Sequence, residues 1–119
     1  MNSMNKILCS VFLLLIAPSG FACDYPSRVS IPIGATATKE EMLVGQKAVK
    51  EFVASMETYL ECILAEEKQA RSEMDDIEPE DEQLREDMLN KKYNAAVDDM
   101  ERIAANFNTA VQDYRSRDE

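Results

Sequence analysis

The 119-residue chain contains no histidine and no tryptophan. Without imidazole it lacks the side chain most often used as general base and metal ligand near neutral pH. Its three glycines supply no Gly-rich phosphate loop, and no nucleophile-elbow pattern occurs. Cations are scarce, with 13 Lys and Arg against 23 Asp and Glu and a net charge of −10. Phosphate binding needs clustered cations, so nucleic acid is excluded as a partner. The same balance disfavours anionic lipid surfaces. A long apolar run is missing too. The longest, Ile7 to Ala17, has eleven residues, whereas a membrane-crossing helix needs ~20.

What is present begins with that run. A short polar start with one cation, Lys6, precedes it; Pro18-Ser19-Gly20 breaks it; Gly20 and Ala22 place small residues before a cut. This is the layout of a secretory signal peptide, predicted as residues 1–22 and cleaved after Ala22. Cleavage leaves Cys23 to Glu119 with no stable membrane insertion. It removes Lys6 and Cys9 and no carboxylate, so the net charge becomes −11. Two cysteines remain, Cys23 and Cys62, and an exported chain with two cysteines most often pairs them. Lipid attachment at Cys23 is the lesser alternative. Lipoprotein signals carry a Leu-like residue where this chain has Gly20.

Residues 23–38 carry Pro26, Pro32 and Gly34, with Val29, Ile31 and Ile33 alternating. The prolines forbid a helix interior, so an extended N-terminal segment is expected, its apolar edge covering some surface. Thr38-Lys39-Glu40-Glu41 then reads as a capping box. Thr38 accepts from the Glu41 amide, and the Glu41 carboxylate reaches back to the Thr38 amide. From there a heptad column runs Met42, Val49, Met56, Ile63, Ala70, Ile77. A neighbouring column holds Gln46, Val53, Leu60, Glu67 and Met74, widened by Phe52 and Tyr59. The acidic run Asp75 to Glu82 ends the pattern, and Pro79 suits the first turn of a second helix. That helix carries Leu89, Ala96, Ile103 and Ala110 beside Tyr93, Met100, Phe107 and Tyr114.

The expected fold is therefore all-α: two long antiparallel helices, an α-hairpin of about 39–76 and 79–115, with a polar tail at 116–119. With the turn centred near Glu78, Leu60 should face Val97 and Met100, and Val53 should face Ile103 and Phe107. Glu67 falls on the seam and needs a partner among Asn90, Lys91 and Tyr93. Cys62 lies ~36 Å up the first helix from Thr38. Fifteen residue steps can extend to ~50 Å, so the leader can reach it. Closing that loop is worth ~4 kcal/mol in the chain-entropy model, which matters because a two-helix hairpin buries little core. The same shortage suggests dimerisation into a four-helix bundle.

No cofactor or metal is expected. The carboxylates of 75–82 lack the ligand spacing and central Gly of an EF-hand. A carboxylate-bridged di-metal bundle needs Glu-x-x-His pairs. Cysteines 39 positions apart are not a Cys-x-x-Cys redox pair. The methionines at heptad spacing read as packing, with an adaptable client-binding surface as the alternative.

Pro32-Ile33-Gly34-Ala35-Thr36-Ala37, Glu41-Met42 after three further residues, and Tyr59-Leu60-Glu61-Cys62 together resemble a family of small exported proteobacterial proteins. That family shows a P-x-G-A-T-A-x-x-x-E-M segment before a long helix that carries Y-L-x-C. The resemblance covers Cys23 to about Glu67. It implies a periplasmic location and brings no catalytic residues. The sequence thus predicts a non-enzymatic interaction or structural protein, its partner another protein or a second copy, with a stress chaperone as the alternative.

Overall fold

A computed structural model describes residues 22–117. The signal-peptide expectation lies outside the described residues except for Ala22, as do the last two residues of the tail. Two helices follow the leader: α1, Lys39–Ser72, and α2, Pro79–Ser116. They pack against each other as an antiparallel hairpin, with the leader joined to α1 by a Cys23–Cys62 disulfide.

The start of α1 is set by the capping box. The Glu41 amide donates to Thr38 Oγ1 at 3.1 Å, and the Thr38 amide donates to Glu41 Oε2 at 2.6 Å. Its end comes earlier than the heptad pattern implied, at Ser72 rather than near residue 76. The Glu73 and Met74 amides bond back three residues to Ala70 and Arg71, and Ser72 Oγ donates to the Gln69 carbonyl. These contacts tighten the last turn. Asp75 and Asp76 beyond it are poor helix formers whose charge opposes the negative end of the helix dipole. The α2 start has no side-chain cap and relies on Pro79 and the first-turn acids Glu80, Asp81 and Glu82.

The early stop moves the turn centre from Glu78 towards residues 75–76 and shifts the register by about one helical turn. Glu67 therefore meets Arg85, not Asn90, Lys91 or Tyr93.

One heptad column of α1 is buried as read: Met42, Val49, Met56 and Ile63. The second is mixed. Leu60 is buried and Val53 half-buried, while Gln46 and Met74 are exposed; on the widened side Phe52 is buried and Tyr59 half-buried, and Gly45 is buried in place of Gln46. The reason is a third element. The leader lies on that side, and a Cβ placed on Gly45 would sit 2.7 Å from Pro32 Cδ and 3.3 Å from Phe107 Cε2.

The leader is not confined to the flank of α1; it lies in the groove between both helices. Gly34 rests on the α2 backbone, where a Cβ would fall 1.8 Å from the Ala110 carbonyl oxygen. Its φ is not positive, so glycine is needed here for space and not for conformation. The leader covers the ~36 Å from Cys62 to Thr38 in fifteen steps, ~2.4 Å each. A fully extended chain would advance ~3.3 Å per step. Part of the slack is taken up in a turn, where the Thr36 and Ala37 amides donate to the Ile33 carbonyl. Val29 and Ile31 pack on the core. Ile33, at the head of that turn, stays 71% exposed and covers nothing.

Candidate functional site

Three groupings join the elements. The first surrounds the disulfide, whose two Cα atoms lie 5.8 Å apart. Two residues on, the Tyr25 ring meets Tyr59 of α1 edge to face at 5.0 Å. The Tyr25 hydroxyl crosses to α2 and donates to Asp99 Oδ2 at 2.6 Å. Arg102 holds the other oxygen of Asp99. Burial, then the hydrogen bond to an anionic acceptor, push the Tyr25 hydroxyl up to about 12. The bonds from Tyr25 and Arg102 hold Asp99 below the ordinary carboxylate value, against a smaller opposing effect of burial.

The second grouping centres on Glu67, the one charge expected on the seam. Burial alone would raise its pKa, but bonds from Arg85 and then Arg71 outweigh burial and keep it low. Arg85 grips it with two parallel bonds of 3.0 Å, and Arg71 adds a third of 3.0 Å from within α1. Arg71 also donates to Glu82 at 3.1 Å. The four side chains thus alternate in sign and tie the last turns of α1 to the first turns of α2. The planar guanidinium fork explains why an arginine holds this place and the neighbouring lysines do not.

The third grouping is the far end of α2. Arg117 stacks over the Tyr114 ring at 4.2 Å and donates to the Ala37 carbonyl at 2.6 Å. Residue 117 is therefore part of the clamp on the leader and not a free tail.

Sequence reasoning did not find the Tyr25–Asp99 bond or the Arg117 clamp. The available signal for the first was position. A tyrosine two residues past a cysteine fixed to the middle of α1 has to land on that helix or its neighbour.

None of these groupings presents a nucleophile beside a base, and no described group of three or more Cys, Asp or Glu side chains converges as a metal site. No described helix is long and apolar enough to cross a membrane. What the arrangement offers chemically is surface. An open trough of about 1080 Å³ runs between the leader and the outer face of α1, past Val44, Ala48 and Ser55. At the other end of the hairpin a hollow of about 550 Å³ lies among Met74, Ile77, Leu84 and Met88. A smaller one of about 170 Å³ shares Arg85 and Met88 with it. Compared with protein-family models, with curated proteins and with solved structures, the chain matches none. The fold defines the class, a disulfide-pinned α-hairpin.

Proposed function

We propose that the chain is an exported, non-enzymatic interaction protein that offers the loop end of its hairpin to a protein partner. One observation carries this reading. From Leu64 to Ala95 no side chain is buried, yet Leu64, Leu84, Met88 and Tyr93 there are 46%, 58%, 53% and 37% exposed. Ile33, Leu43 and Val44 are exposed at the leader end as well, but Met74, Leu84 and Met88 share one hollow. Isolated surface apolar residues are ordinary, whereas a set gathered round a hollow marks an interaction surface. Export is supported by the signal-like N-terminus and by a disulfide suited to an oxidising compartment.

Two measurements test the two halves of this reading. The mass of the exported protein should correspond to Cys23–Glu119 less two hydrogens; a free thiol, a retained leader or a lipid on Cys23 contradicts it. Photo-crosslinkers placed at Leu84 and at Val44, on opposite ends, should capture a partner in the periplasm. Capture at neither position removes the interaction reading.

A client-binding chaperone is the second reading, favoured by the exposure of Met74 and Met88, whose flexible thioethers suit varied apolar surfaces. It requires suppression of aggregation of a denatured protein at stoichiometric ratios by the oxidised chain.

A further inference from the structure

We propose that the loop-end groove docks a basic amphipathic helical segment of the partner, an inference that rests on the interaction reading above. Met88 and Arg85 line both hollows at this end, so the hollows are one groove. It runs from Ile63 and Leu89 to Met74 and Ile77. Along α1, from Ile63 to its end at Ser72, that is nine residue steps, ~14 Å, or about two and a half helical turns, before the chain leaves the helix for Met74. Its apolar floor includes Met74, Leu84 and Met88, and an amphipathic helix lays its i, i+3, i+4, i+7 side chains into such a floor.

The charge of the occupant follows from the rim. Asp75, Asp76, Glu78 and Asp81 edge its loop half, and the ion pairs among the described residues use none of the four. The other half carries Glu66 and Lys92 beside the Glu67–Arg85 pair, so carboxylates outnumber cations over the lining as a whole. Between Leu64 and Tyr93 there are eleven carboxylates and five cations, a net −6 over 30 residues. The rest of the chain from Cys23 onward carries a net −5 over 67 residues. A second copy would bring either −6 or −5 against this end, and like charges oppose association. A cationic helix meets no such opposition. Its lysines or arginines would lie over the rim while its apolar face fills the floor.

The probe is a synthetic peptide of about 18 residues with Leu at i, i+3, i+4 and i+7 and Lys elsewhere. It is titrated into the oxidised full mature chain carrying 13C-methyl methionine. Saturable binding is expected, with the Met74 and Met88 methyl resonances shifting and those of Met42 and Met56 unmoved. Leu84→Glu with Met88→Glu should weaken binding at least about tenfold, whereas Ile33→Glu at the opposite end should not. Both are substitutions at exposed positions, and an unchanged helical melt confirms that each variant folds.

Four results overturn the proposal: no saturable binding, equal binding of a Ser/Lys peptide, equal binding of a Leu/Glu peptide, or methyl shifts that track protein concentration without peptide. The last would identify a second copy as the occupant. The cellular crosslinks separate this inference from its foundation. Capture from Leu84 supports it when the crosslinked segment is itself basic and amphipathic, and opposes it when the segment is acidic or extended. Capture from Val44 alone leaves an interaction protein whose surface is elsewhere.

Discussion

The two ends of the hairpin are built from the same heptad pattern and differ in what lies on it. At the leader end, residues 23–38 occupy the groove between α1 and α2, and the core there is three-sided. Met56 is fully buried, as is Ala96 facing it from α2. At the loop end the pattern continues through Ala70, Ile77 and Leu89, but no third element arrives, and those side chains are only half-buried. An apolar stripe does not bury itself. It becomes core only where a third surface closes over it, and where none does, the helices are held by ions such as Glu67 and Arg85.

The largest way to break the difference is to release the leader. Cys23→Ser with Cys62→Ser opens a loop of about 40 residues, and a loss of about 4 kcal/mol is expected in the chain-entropy model. Urea unfolding of the variant against the oxidised parent measures it. The next contrast is between two methionines. Met56→Ala removes a side chain with no exposed surface and should cost about 2–5 kcal/mol. Met88→Ala, at a position 53% exposed, should change stability by less than about 0.5 kcal/mol. Equal effects in the same urea series would mean that the ends do not differ.

The Glu67 grouping answers to acid, whereas the Tyr25–Asp99 grouping answers to both limits of pH, because Asp99 too is held low. Glu67 is held below its ordinary value of 4.5, so its contribution is present above that value and is lost as pH falls through the lower folded value. Glu67→Gln should cost about 1–2 kcal/mol at neutral pH and remove part of the acid sensitivity seen below about pH 4.5. Tyr25 is raised from 10.0 to about 12. Its contribution is present below pH 10 and is lost as pH rises towards 12. Tyr25→Phe, the smallest effect at about 1 kcal/mol, should flatten that alkaline loss. Thermal melts across pH in the two variants check both.

Much of this arrangement could be read from the sequence. The hairpin, the capping residues Thr38 and Glu41, and the Cys23–Cys62 pairing follow from periodicity, local hydrogen-bond chemistry and chain reach, all of which are local or countable. The second α1 column followed in part. Leu60 is buried and Val53 half-buried, as are the widening residues Phe52 and Tyr59 in turn. At the start of the helix, however, Gly45 is buried and Gln46 exposed, because which edge is covered there depends on which side the leader lies. The seam partner of Glu67 was missed for a related reason. Heptads continue in sequence past Ser72 although the helix does not, so the turn was centred too late and the facing residues slipped by about one turn. Ile33 shows the limit of alternation. Its place in the pattern matches Val29 and Ile31, but the turn it opens rotates it into solvent. The loop-end groove, by contrast, is a consequence of absence, since nothing covers Leu84 and Met88, and a pattern of residues does not reveal what fails to arrive.

Amide hydrogen exchange along the oxidised chain from Cys23 to Glu119 tests the distinction between the ends most directly, because it reads local opening free energy residue by residue. The slowest exchange is expected from Val49 to Ile63 in α1 and from Ala96 to Ala110 in α2. Exchange should be markedly faster in the last turns of α1 after Leu64 and the first turns of α2 up to Tyr93. Reduction of the disulfide should erase most of that difference. Uniform protection along both helices, or slowest exchange at the loop end, would contradict the account.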